Sequence, residues 1–302
     1  MLTLGRNVEL DDALRSIRQI EDRFNHQFHY PWVFLNDQPF SQEFRLLTSG
    51  MASGDVEYGL IEKNEWQTPS WIDTEKAQKA MDEMVKNDVI YGGRLSYRLL
   101  PPPHSLADGR HMCRYNSGFF FRHLLLMKYS WYWRVEPDID FYCSINYDPF
   151  TFMRENDKVY SFIISLPEYI ETIPTLWEKT KQYCRENPSV VAKDNALDFL
   201  VDDGKGWDGE YNLCHFWSNF EIASLDFWRG DTYLKYFEYL DKSGGFYYER
   251  WGDAPVHTLS FTLLIGRCIL LLRRCFYQRR RFIGLGIWDI DIFPGYIVLL
   301  MI

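Results

Sequence analysis

The sequence predicts an α/β protein built on an open, largely parallel sheet, and three observations carry that prediction. The first is a βαβ start: a short apolar strand at residues 2–4, a helix, and then Tyr30-Pro31-Trp32-Val33-Phe34-Leu35. That order and spacing imply parallel pairing. The second is Trp131-Tyr132-Trp133-Arg134-Val135-Glu136-Pro137-Asp138, an aromatic and apolar strand that runs into two carboxylates. Open α/β sheets bind ligands in the crevice outside the carboxyl ends of their strands. The third is bulk: 302 residues at 46% hydrophobic content supply a core for one large domain or two ordinary ones.

The first strand ends at Gly5-Arg6-Asn7, at its carboxyl end, where a nucleotide can sit. An ordinary strand-to-helix turn is the more economical reading. Leu10, Leu14, Ile17 and Phe24 fall on one helical stripe. Residues 40–69 are mixed and read as irregular. Residues 73–89 form a charged helix with Ala77, Ala80, Met81 and Met84 inside. Leu99-Leu100-Pro101-Pro102-Pro103 makes a stiff connection. Cys113-Arg114-Tyr115-Asn116-Ser117-Gly118 then leads into residues 119–124, read as a helix beneath the 131–138 strand. Arg114 can face a phosphate or close a salt bridge.

Pro137 fixes its own φ and biases Glu136 toward an extended backbone, so the two acids sit on a stiff turn. Magnesium and manganese prefer oxygen ligands and often bind through one or two carboxylates plus a diphosphate. A solvated acidic turn is the plain alternative. Pro149 starts a short helix through Arg154, and residues 159–166 read as a buried strand. Thr172-Ile173-Pro174 opens a helix to about Arg185, with proline where a missing N–H costs little. Residues 187–209 are loop-rich apart from 196–201.

A second dense stretch, Cys214-His215-Phe216-Trp217-Ser218-Asn219-Phe220-Glu221-Ile222-Ala223, sets Glu221 among apolar neighbours. A carboxylate buried there needs donors or a cation to stay ionised. Capping the next turn, or pairing with Arg229, are its plainer roles. Asp231 caps a helix to about Leu240, which Gly244-Gly245 ends. Asp253 is placed to cap a helix carrying Pro255, and His257 on that helix reads as a core histidine or a ligand.

The net charge of −9 argues against a nucleic-acid binder, which usually shows a basic footprint. Aromatic content of 18% serves packing, but aromatic faces also stack on sugars. The six cysteines form no Cys-x-x-Cys pair, against a structural zinc site. They fit free core thiols or widely spaced disulfides equally well. The chain opens on Met1-Leu2-Thr3-Leu4, a strand rather than a signal peptide or membrane anchor. Composition shifts at Phe261. Residues 261–302 hold six Arg against two Asp, a net +4, which leaves −13 on residues 1–260. The apolar runs at 261–272 and 296–302 are too short to span a bilayer.

Tyr30-Pro31-Trp32-Val33-Phe34-Leu35-Asn36-Asp37 and the segments 132–138, 141–150, 172–177, 215–222 and 250–257 occur in one order. Together they resemble the GDP-mannose-dependent α-1,2-mannosyltransferases of the fungal Golgi, glycosyltransferase family 15, over about residues 3–260. The resemblance implies a GT-A fold, a single mixed sheet flanked by helices, spanning residues 1–260. It implies retaining transfer of mannose from GDP-mannose to a mannose on a glycoprotein glycan, with Mn2+ as cofactor. It also implies a type II membrane protein of the Golgi lumen.

By that resemblance Glu136-Pro137-Asp138 stands where other GT-A enzymes carry Asp-x-Asp, making Glu136 and Asp138 metal ligands and Glu221 the catalytic carboxylate. Gly5, Arg6 and Asn7 would border the guanosine pocket. Arg114 and Tyr115, with Asn116 and Ser117, would lie on the donor or acceptor side. Two departures stand out. The family's cytosolic tail, anchor and stem have no counterpart here. The family also continues to a Gly-Tyr-x-His segment whose histidine binds manganese, whereas no histidine follows His257. Residues 261–302 are expected to be an unmatched tail, read past a splice boundary or from a truncated gene model. The chain is expected to be poorly active. The competing expectations are an inactive GDP-mannose- or mannoside-binding remnant and a glycoside hydrolase using Glu136 and Glu221.

Overall fold

The first strand, β1 (Leu2–Leu4), ends a three-stranded parallel sheet that a single bridge continues. It pairs in parallel with β2 (Trp32–Asn36), and β2 pairs in parallel with β3 (Val56–Leu60). This is a computed structural model, and it describes residues 1–89, 108–141, 143–201, 204–266 and 269–271. On the other side of β1, a parallel bridge between Leu2 and Arg134 leads to β4 (Trp131–Trp133). The order of the later strands along the chain is β5 (Tyr160–Phe162), β6 (Ser165–Pro167), β7 (Cys214–Phe216), β8 (Glu221–Ser224) and β9 (Ile269–Leu271). β8 pairs antiparallel with β4 and β5, and β9 joins β5 in parallel. Read across the bridge, the sheet runs β3-β2-β1-β4-β8-β5-β9, and only β8 is reversed. β6 and β7 form a separate antiparallel pair.

The period of two in the strands divides the core between the two faces. Trp32 and Phe34 join one apolar cluster with Ile17, Phe24 and Trp133. Val33 and Leu35 join the other with Tyr132, Tyr160, Trp228 and Leu259. The first face is covered by the helix Leu10–Ile20, whose apolar stripe continues through a wider turn at Glu21–Asn25 to bury Phe24. The second is covered by the helices Asp108–Gly118, Asp231–Ser243 and Asp253–Leu264.

Several elements differ from expectation. Residues 40–69 are ordered: Ser41 caps the helix Gln42–Met51 by accepting from the Phe44 N–H at 3.0 Å, and β3 follows. The helix expected at 119–124 is instead the segment before it. It ends at Gly118, where a Cβ would sit 1.9 Å from Phe237 Cζ, and Phe119 onward turns into short 3-10 segments. The strand at 159–166 divides into β5 and β6. Gly252, not Asp253, occupies the cap of the helix Asp253–Leu264. That helix crosses the composition shift at Phe261 unbroken, with Phe261 to Leu263 fully buried. The connection at 99–103 and residues 272–302 lie outside the described residues. Cys143 is disulfide-bonded, while Cys113 and Cys184 are buried free thiols. Among the described residues, no helix is long and apolar enough to cross a membrane.

Candidate active site

Register brings the two dense stretches of the sequence together. β4 and β8 align Trp133 with Ile222, and one step on the Arg134 N–H donates to the Glu221 carbonyl at 2.8 Å. The Glu-Pro-Asp turn therefore leaves the strand end beside Glu221. Alternation puts Tyr132 and Arg134 on the face that Glu221 occupies.

Glu221 is buried and saturated with donors. Its Oε1 accepts from Tyr132 Oη at 2.6 Å, and its Oε2 accepts from Tyr160 Oη at 2.8 Å. His257 Nδ1 lies 3.1 Å from the same Oε2. Burial, then the charge of Glu221, pushes both phenols well above their ordinary pKa, so they remain neutral donors. The expected partner Arg229 does not reach Glu221; it binds the carbonyls of Phe121, Leu126 and Tyr129.

Beside this carboxylate, Arg134 bridges two more. Its Nε donates to Glu136 Oε1 at 2.7 Å and its Nη1 to Asp253 Oδ2 at 2.5 Å. Ser218 Oγ donates to the same Asp253 oxygen at 2.9 Å. Burial works against the Arg134 cation, but Asp253, Glu136 and Glu221 outweigh it and hold its pKa well above the usual value. Burial likewise works against the Asp253 anion, but Arg134, His257 and Ser218 more than offset it and keep that carboxyl below its usual range. Three buried carboxylates thus gather around one guanidinium.

A small cavity opens between this sheet face and the helix Asp108–Gly118. It is lined by Leu2, Leu4, Leu35 and Tyr132 with Arg134 and Glu221, and from the helical side by Tyr115, Asn116 and Phe120. Tyr115 Oη and Asn116 Nδ2 are buried there without a hydrogen-bond partner among the described residues. Orphaned polar atoms are rare in native proteins and point to a missing partner.

The other expected residues fall less neatly. Asp138, at a left-handed φ of 61°, pairs at the surface with Arg15 at 2.6 Å and does not share the partner of Glu136. Arg114 makes the salt bridge that the sequence offered as its alternative. Its Nε and Nη2 grip both oxygens of Asp241, at 2.7 and 2.8 Å, and the pair is buried. The Gly5 N–H donates to the Leu35 carbonyl and prolongs the strand pairing. Arg6 pairs with Glu9, and Asn7 bonds Pro39 and Ser41. These three stand at the carboxyl end of β1, with the Arg6 side chain held by Glu9 in the turn that follows and Asn7 by the loop at Pro39 and Ser41. Tyr132, Tyr160, Arg134 and Asp253 also line this cluster, though the sequence does not single them out as candidates. Only Tyr132 and Arg134 carry a signal, because they alternate with Glu136 along the strand that runs through 131–138.

The family described as glycolipid 2-alpha-mannosyltransferase matches residues 1–282. The chain belongs to this family. Glycolipid 2-alpha-mannosyltransferase 2 of Candida albicans is 53% identical over 265 residues, covering 87% of this chain and 54% of that protein. The probable mannosyltransferase KTR3 of Saccharomyces cerevisiae is 52% identical over 268 residues, 88% of this chain and 62% of that protein. The chain therefore spans less than two thirds of the length of these relatives. Core-mannan synthase A from Aspergillus fumigatus, solved in an Mn/GDP form, superposes with a TM-score of 0.80 at 39% identity over 87% of this chain and 69% of its own. The mannosyltransferase Ktr4p from S. cerevisiae, solved in complex with GDP, gives a TM-score of 0.80 at 41% identity, over 87% of this chain and 66% of its own. The fold is the mixed α/β architecture of these glycolipid 2-alpha-mannosyltransferase relatives, the GT-A type, and the family match runs past residue 260.

Proposed function

We propose that this chain carries the catalytic centre of a retaining α-1,2-mannosyltransferase that moves mannose from GDP-mannose to a mannose hydroxyl on a glycoprotein glycan. The observation that carries this reading is Glu221, a buried carboxylate bordering a cavity at the carboxyl end of the sheet, one hydrogen bond from the strand that ends in Glu136. The names of the relatives support the same chemistry.

Glu221 supplies fixed negative charge for oxocarbenium character at the anomeric carbon, as a carboxylate can in retaining sugar chemistry. Tyr132 and Tyr160 hold it in place through their hydroxyls. Tyr115 Oη and Asn116 Nδ2 offer hydrogen-bonding capacity to sugar hydroxyls. The backbone around Gly5, Arg6 and Asn7 borders the nucleotide. Arg114, bound to Asp241, serves by fixing the helix that carries Tyr115 and Asn116.

Manganese suits the donor set in part. Glu136 is an oxygen ligand at the strand end, in a cluster where buried carboxylates outnumber the arginine that bridges them. Among the described residues, no three His, Cys, Asp or Glu side chains gather as a metal site. Glu136 would hold the ion, and Asp138 would join it only after parting from Arg15. When bound with the diphosphate, the metal supplies Lewis-acid stabilisation of the departing GDP. The setting proposed for the whole protein is the Golgi lumen in type II topology.

Titrating GDP with and without Mn2+ tests the site. Tightening by the metal that is lost in Glu136→Gln is expected; equal affinity in every case would count against it.

A further inference from the structure

We propose that His257 is a positioning residue for Glu221, closing a three-donor clamp that holds the carboxylate as a fixed charge in a single orientation. This presupposes the transferase function for Glu221. His257 is fully buried, and its ring packs on Trp228 with centroids 4.3 Å apart. Its Nε2 lies 3.2 Å from the Asn116 carbonyl oxygen. A carbonyl only accepts, so that nitrogen carries the hydrogen.

The other nitrogen faces Glu221 Oε2, which already accepts from the Tyr160 hydroxyl, while Oε1 accepts from Tyr132. A carboxylate taking hydrogen bonds from two phenols is an acceptor toward the ring as well. His257 therefore donates from both nitrogens. Arg134 directs its side-chain hydrogen bonds to Glu136 and Asp253, which leaves the imidazole as the cation that serves Glu221. With donors on both oxygens, Glu221 cannot turn about its terminal bond without breaking one of them. The contact between the Nε2–H and Asn116 also ties the clamp to the helix that lines the sugar side of the cavity.

The test is nitrogen NMR of the His257 ring in the full chain at neutral pH, followed by kinetics. Both ring nitrogens are expected to show N–H-type shifts, and Nδ1 is expected to lose that character in Glu221→Gln. A ring protonated at only one nitrogen in the wild-type chain overturns the clamp. In transfer assays His257→Ala is expected to lower kcat about 10- to 100-fold, the value of a hydrogen bond to a charged group. KM for GDP-mannose should stay within about threefold, as for an interaction that matters in the transition state. His257→Gln, which keeps one donor, should recover part of kcat. If the wild-type chain transfers mannose and both variants keep its kcat, the clamp is wrong. If the wild-type chain does not transfer at all, the transferase reading falls, and the ring shifts alone decide the clamp. They also decide it should His257→Ala fail to fold.

Discussion

Two acidic corners lie within a few residues of each other and are built on opposite principles. At the Glu221 corner every carboxylate is buried: Glu221 binds Tyr132, Tyr160 and His257 and Asp253 binds Arg134, all far away in sequence, while Glu136 binds the same Arg134 two residues back. At the Asp138 corner the carboxylates pair with Arg15, whose side chain is 53% exposed. A buried network is costly to break, because each lost partner leaves a desolvated charge. An exposed pair is screened and readily exchanged. On the proposed reading, the contrast separates a rigid charge on the sugar side, with Glu136 at its edge, from an exchangeable pair at Asp138 that an incoming cation would have to displace.

Changes at the rigid corner should have the largest effects. Arg134→Met leaves Glu136 and Asp253 buried without their guanidinium and is expected to cost about 3–5 kcal/mol of stability. A denaturant midpoint unchanged from wild type would remove the distinction between the corners. Next comes Gly118→Ala, whose new methyl meets the Phe237 ring, with an expected loss of about 1–3 kcal/mol. Thermal unfolding reads it, and a neutral result would mean the helix Asp108–Gly118 is less tightly seated than its contacts imply.

Asp253 sharpens the comparison through pH. Its folded-state pKa lies below the ordinary 3.8, so its stabilisation is complete above that value and is lost as pH falls through the folded value. Asp253→Asn should therefore lower stability at neutral pH and flatten the acid limb below about pH 4. An acid limb as steep as that of wild type would contradict the assignment. Arg15→Ala should have the smallest effect, under about 1 kcal/mol, as usual for exposed ion pairs. A larger loss would make the rim as structural as the buried corner.

The sequence was informative where local pattern determines structure. The βαβ start, the strand into Glu136, and the helices opened by Asp148-Pro149 and ended by Gly244 were all legible. Residues 40–69 were not, although Ser41 three residues before Phe44 is a cap signal and Val56-Glu57-Tyr58-Gly59-Leu60 is only half-buried alternation. Arg114 could not be assigned because its partner Asp241 lies 127 residues away. The donors to Glu221 lie 36, 61 and 89 residues from it, so their convergence belongs to strand register and helix packing. By sequence Asp253 reads as a cap because it begins a helix. Its carboxylate instead went to Arg134, where a buried cation outweighs a cap's single N–H.

The most direct measurement compares mannose transfer from GDP-mannose to a simple mannoside, with Mn2+, by the wild-type chain, Glu221→Gln and Glu136→Gln. Glu221→Gln should lose about 100-fold or more in rate while binding GDP nearly as well, since the lost charge acts at the sugar. Glu136→Gln should weaken GDP binding in the presence of the metal. A measurable rate that survives both substitutions unchanged would contradict the site.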